Sequence, residues 1–304
     1  MVNLMKIFVF ILILIYSSIS FSQVITTEVV HNGIKRKFAY HIPQNKKIDS
    51  VVFVLHGGGG DIKKIRSLTK YKFEALGDSY GYVLVYPQGY KNHFNDGRTG
   101  LNYDSFKKNI DDIGFFRYIL NYLKNNKNLK VEKVYFTGIS NGGLMSYRAA
   151  CKMEEVDKIA PVVATMPYEL YNSCKRKKEL SVMIIASTKD LLMPYEGGEV
   201  SGPFGVKKLG KVVSALESYN FWVFRNNCKG EEVINEYQDE YNKDIKLIKK
   251  LRYCEKSKVY LYTLINAGHT WPGGTQYLPV WVVGKTASIF DASEEIISFF
   301  FDKI

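Results

Sequence analysis

Gly138-Ile139-Ser140-Asn141-Gly142 follows an apolar run, Val134-Tyr135-Phe136, and precedes the helix-forming residues Leu144-Met145-Ser146-Tyr147-Arg148. The order is strand, tight turn, helix. Glycines on either side let the backbone double back without a Cβ clash, so a serine on that turn projects its hydroxyl above a sheet edge. A serine that merely caps a helix reads the same way in isolation. The distinction rests on partners elsewhere in the chain: backbone donors upstream, then an acid and a histidine downstream in that order.

All three are present. His56-Gly57-Gly58-Gly59-Gly60 follows the continuous apolar run 51–55, and glycines there expose backbone N–H groups where an oxyanion would develop. Gly58 is the first choice for the loop donor, with Gly59 next, and the N–H of Asn141 is the second donor. Asp190 lies a short loop beyond the strand-like run 182–186, and His269 lies just past the run 259–264. A hydroxyl is a poor nucleophile until a base takes its proton. Imidazole does so near neutral pH, and a carboxylate holds it in the right tautomer. His31 in a turn, His41 at a strand end and His93 in a polar loop read as structural or surface residues. Asp157, Asp239 and Asp244 read as solvated charges.

Outward from this turn, strands and helices alternate. Runs 24–30 and 34–42 flank His31-Asn32-Gly33, and Asn-Gly between alternating runs signals a hairpin. Strands are expected at 51–55, 82–86, 131–136, 159–164, 182–186 and 259–264. Helices are expected at 65–76, 113–123, much of 206–224, and 292–301. Continuous apolar strands suit a sheet covered on both faces. The expected fold is therefore α/β, with a mostly parallel central sheet, an antiparallel N-terminal hairpin and helices on both faces. No linker, repeat or low-complexity run divides residues 23–304, so one catalytic domain is expected. Segment 226–258, charged and bracketed by cysteines, reads as an insertion, and 89–109 reads as a polar loop.

Residues 1–22 read as a signal peptide: Lys6 precedes ten apolar residues, and Ser20 and Ser22 are spaced like a cleavage site. That run is short for a membrane anchor. Export, to the periplasm or medium, makes Cys151, Cys174, Cys228 and Cys254 disulfide candidates, with sequential closure one of three pairings. The chain of 304 residues is 46% hydrophobic and 24% charged, with net charge +12. Its lysines are scattered and no motif supports nucleic-acid binding. No metal-ligand cluster appears and no cofactor is expected. Trp271, Tyr277 and Trp281, near His269, are candidates for an aromatic wall against a sugar or phenolic ring, with the core as the alternative for each.

With these residues in view, the chain resembles the exported α/β-hydrolase esterases of the feruloyl-esterase-like and polyhydroxybutyrate-depolymerase-like group. The resemblance runs through Leu55 to Gly60, Tyr86-Pro87-Gln88-Gly89, Asp111-Asp112-Ile113-Gly114-Phe115, Thr137 to Gly143, Asp190 with Pro194-Tyr195, His269 to Gly274, Gln276-Tyr277-Leu278-Pro279 and Asp291-Ala292-Ser293. Ala186-Ser187 stands where these proteins commonly carry His-Gly. The resemblance implies Ser140 as nucleophile, Asp190 as acid and His269 as base. The expected activity is carboxylic ester hydrolysis through an acyl-enzyme, on feruloyl or acetyl esters of polysaccharide or on short polyesters. A serine peptidase of the same fold and a binding protein with a silent triad are the alternatives.

Overall fold

The computed structural model describes residues 23–44, 46–206 and 208–304. The expected signal peptide lies outside the described residues. Strands β1 (Ile25–His31) and β2 (Ile34–His41) form the predicted hairpin, with Asn32 and Gly33 both at positive φ. That is the conformation a two-residue hairpin turn matched to strand twist requires. Next come β3 (Ser50–Leu55), helices α1 (Ile62–Leu68) and α2 (Lys72–Tyr80), and β4 (Val83–Pro87). The short α3 (Asp104–Lys107) and long α4 (Asp112–Lys127) lead to β5 (Lys133–Ile139), which turns at Ser140 into α5 (Asn141–Lys152).

Then follow β6 (Val156–Val162), α6 (Tyr168–Ser173), β7 (Ser181–Ser187), the two-residue strands β8 (Gly198–Glu199) and β9 (Lys211–Val212), and α7 (Ala215–Arg225). The chain ends with β10 (Glu232–Gln238), β11 (Lys246–Tyr253), β12 (Lys258–Ile265), α8 (Val280–Val283) and α9 (Ala292–Phe300).

Among the described residues ten strands form one sheet in the order β1-β2-β4-β3-β5-β6-β7-β12-β11-β10. The six from β4 to β12 are parallel, and an antiparallel pair extends each edge. Side-chain alternation along β3 divides the core. Val51, Phe53 and Leu55 pack with α4, α5 and α7 on one face, while Val52 and Val54 pack with α1, α2 and α9 on the other.

The topology determines where a site can form. Strand β3 sits between β4 and β5, and the chain leaves β3 toward one face and β5 toward the other. Such a reversal opens a crevice outside the carboxyl ends of the two strands. The glycine loop 57–60 and Ser140 lie at those two ends.

Three expectations change. The helix read over 65–76 is two helices, because Lys70 and Tyr71 adopt left-handed backbone and break it. Among the described residues of 206–224 only α7 is helical; it starts where Ser214 and Glu217 close a capping box, and the described residues before it are loop and β9. Segment 226–258 is no detached insertion: β10 and β11 continue the sheet beyond β12. Two disulfides, Cys151–Cys174 and Cys228–Cys254, close sequentially.

Candidate active site

Ser140 holds φ 55° and ψ −121°, a conformation that costs a non-glycine residue about 1–3 kcal/mol. It occupies the N-cap position of α5 without making a side-chain capping bond, so the helix-cap reading does not apply. The turn tolerates no larger neighbours. A Cβ on Gly142 would stand 2.4 Å from the Leu55 carbonyl oxygen, and one on Gly138 would stand 2.7 Å from the same atom. The glycines therefore let α5 start against the end of β3, which brings Ser140 beside the loop that follows β3.

That loop is rigidly held. The Gly59 N–H donates to the Asn92 carbonyl and the Gly60 N–H to the Gly57 carbonyl, so neither is available to a ligand. Of the two expected loop donors, Gly58 is the one whose N–H is not engaged by the protein, and it is adjacent to Asn141, whose Cβ lies 3.7 Å from where a Gly58 Cβ would be. His56 is buried and fixed at both ring nitrogens: Nδ1 contacts the Gly57 carbonyl at 2.8 Å, and Nε2 accepts from the Gly89 N–H at 3.0 Å. A carbonyl only accepts, so Nδ1 carries the proton. Burial pushes the His56 imidazole down to about 4, leaving it neutral near pH 7.

Gln88 reinforces the arrangement by accepting from the Ile62 N–H and contacting His56 Nε2 and Asn92. The Tyr86 to Gly89 motif is thus a brace for the glycine loop.

Asp190 and His269 come from the ends of adjacent parallel strands, β7 and β12. His269 Nδ1 lies 2.6 Å from Asp190 Oδ2, and both side chains are nearly inaccessible, at 2% and 1% exposure. Asp190 Oδ1 accepts from the backbone N–H groups of Leu192 and Met193 at 2.8 and 2.7 Å, which orients the carboxylate. His269 is held by its backbone N–H to the Val283 carbonyl and by the Tyr277 hydroxyl donating to its own carbonyl. With Nδ1 committed to Asp190, Nε2 is the ring nitrogen left for chemistry. Burial and the nearby Asp190 charge hold the Tyr277 phenol well above its ordinary value, so it stays a neutral donor.

Ser140, His269, the 57–60 loop and Asn141 line one cavity of about 960 Å³, with Arg98, Tyr103, Leu192, Val206 and Tyr277 among its other walls. Of the three aromatic candidates, Tyr277 lines this cavity. Trp271 does not: it is fully buried, donates to Ser293 Oγ and packs edge-on to Phe73, so it is core. Trp281 lies outside the cavity wall, 72% exposed, with its ring against Phe204. Asp239 is not a solvated charge either; it is buried and caps a turn through Tyr241 and Asn242 N–H groups. His31 and His41 pair with Asp111 and Asp78 as structural residues, whereas His93 lines the cavity.

Two contacts lay beyond sequence reasoning. The Asn141 side chain is tied into the loop before α3: Oδ1 accepts from the Phe94 N–H, and Nδ2 donates to the Phe94 carbonyl and Asp96 Oδ2. Asp96 is itself buried and paired with Arg98. The Asp111-Asp112 motif is structural, with Asp111 capping α4 and Asp112 buried against Arg36 and the Asn95 N–H.

No protein-family model matches the chain. The chain is 26% identical over 165 residues to a bifunctional acetylxylan esterase/xylanase of Neocallimastix patriciarum, covering 54% of this chain and 23% of that protein. It is 25% identical over 154 residues to feruloyl esterase D of Neurospora crassa, covering 47% of this chain and 49% of that protein. The matches thus span about a quarter and about half of these relatives' lengths. Among solved structures it is similar to the acetyl xylan esterase from Aspergillus awamori, with TM-score 0.54 and 12% identity, over 81% of this chain and 94% of that one. The fold is that of the α/β hydrolases, and the resemblance to feruloyl-esterase-like proteins is borne out by these relatives.

Proposed function

We propose that the protein is an exported serine hydrolase that cleaves carboxylic esters through an acyl-enzyme. Ser140 Oγ attacks the ester carbonyl carbon while His269 Nε2 takes its proton, and Asp190 stabilises the imidazolium that results. The N–H groups of Gly58 and Asn141 hold the oxyanion, each contributing roughly 3 kcal/mol to the transition state. His269 returns the proton to the departing alkoxide. Water, deprotonated by the same imidazole, then releases the acid and restores Ser140. The chemistry needs no metal or cofactor.

The observation that carries this reading is the buried 2.6 Å contact between Asp190 and His269, with His269 lining the same cavity as a serine at positive φ. The names of the relatives support ester hydrolysis over amide hydrolysis. Acetyl or feruloyl esters of polysaccharide are the favoured substrates, and short polyesters of the polyhydroxybutyrate type are the other class. A hydrolysis panel of acetylated xylan, methyl ferulate and polyhydroxybutyrate tests this. A clear rate on a polysaccharide-type ester, absent in Ser140→Ala, is expected; amidase activity exceeding every esterase rate would overturn the assignment. Export is supported by the two disulfides, and no helix of the described residues is long and apolar enough to cross a membrane.

A further inference from the structure

His93 takes no part in the reaction above, yet it lines the same cavity. Its ring stacks on Tyr103, with centroids 3.8 Å apart and planes within 17°, and its Nδ1 lies 3.1 Å from the Lys91 carbonyl oxygen. That oxygen can only accept, so Nδ1 bears the proton and the neutral ring presents a lone pair at Nε2. Burial disfavours the imidazolium and lowers the His93 pKa, which maintains that neutral form. Among the described residues Nε2 has no hydrogen-bond partner, and it is not sealed inside the protein. It stands 3.3 Å from where a Cβ on Gly58 would be. A fixed acceptor therefore sits beside the N–H assigned to the oxyanion. The backbone there is closely packed: the His93 N–H donates to the Tyr90 carbonyl, and a Cβ on Gly89 would meet the His93 carbonyl carbon at 2.8 Å.

We propose that His93 Nε2 accepts a hydrogen bond from a substrate hydroxyl on the carbon next to the ester-bearing carbon, so that the site prefers monoesters of vicinal diols such as sugar rings. The inference rests on the ester-hydrolase reading. With the carbonyl oxygen at the Gly58 N–H, only a hydroxyl a few bonds from the ester reaches Nε2. The phenolic hydroxyl of a feruloyl group, at the far end of a conjugated ring, does not.

The test compares kcat/KM for methyl 2-O-acetyl-β-D-xylopyranoside and its 3-deoxy counterpart. The wild-type protein should favour the hydroxylated ester about tenfold, the scale of one well-placed neutral hydrogen bond. His93→Phe keeps an aromatic ring against Tyr103 but has no acceptor, and its ratio should fall to near one. His93→Gln, whose amide oxygen can accept, should keep part of the preference. A wild-type ratio near one, or a preference that survives in His93→Phe, overturns the proposal while leaving ester hydrolysis standing. If the wild type cleaves neither ester, nor p-nitrophenyl acetate, the hydrolase reading fails and this inference falls with it.

Discussion

His269 Nδ1 and Asp190 Oδ2 are 2.6 Å apart although 79 positions separate the two residues, and each is carried on the loop that ends one of two paired parallel strands. The carboxylate also accepts two backbone N–H bonds, so its orientation does not depend on the histidine.

Asp190→Asn is therefore expected to fold, because an amide oxygen can still accept from Leu192 and Met193. Its NH2 group then faces His269 Nδ1, donates to it and favours the wrong tautomer. The predicted loss in kcat is on the order of 10⁴, measured on p-nitrophenyl acetate, with circular dichroism and Tm showing the fold retained. A loss below tenfold would remove Asp190 from the reaction.

His56 makes stability depend on pH. Its folded value is about 4, below the 6.5 of an unperturbed imidazole. Above pH 6.5 neither state binds the proton and the stabilisation is complete. As pH falls below 6.5 the unfolded chain protonates first, and stability is lost until the folded ring also protonates near 4. The cost across that window is about 3 kcal/mol. Urea unfolding at several pH values should show this slope in the wild type and a shallower one in His56→Gln; equal slopes would contradict the assignment.

Asn141→Ala removes the side chain that joins α5 to the loop at Phe94 and Asp96 while leaving the backbone N–H in place. Orphaning the Phe94 backbone groups and removing a donor from buried Asp96 should cost about 2–4 kcal/mol. The urea midpoint should drop accordingly, and kcat/KM should fall because the loop carrying Asn92 also fixes the Gly59 N–H. An unchanged midpoint would mean that the tie is not structural.

Much of this arrangement was legible in the sequence where a local rule governs it. Asn32-Gly33 announced its hairpin through the turn's need for positive φ, Ser140 directly follows an apolar strand, and Asp190 and His269 each follow one by a short loop. What was not legible depended on distant contacts or on an absent pattern. Lys70 and Tyr71 break a helix whose apolar spacing continues past them, so periodicity alone merged α1 with α2. Strand β10 is exposed along most of its length, so it lacks the alternation that marks a half-buried strand. Trp271 and Tyr277 look alike in sequence, and only packing sends one to the core and the other to the cavity. The brace of Gln88 on His56 and the tie of Asn141 to Phe94 join residues 32 and 47 positions apart, which no local spacing encodes.

Covalent labelling with a fluorophosphonate tests the central claim most directly, because only a serine activated by a neighbouring base reacts readily. Intact-protein and peptide mass spectrometry should find one equivalent per chain, located on Ser140, with none in Ser140→Ala and sharply reduced labelling in His269→Ala. Label on another residue, or ester hydrolysis undiminished in Ser140→Ala, would contradict the account.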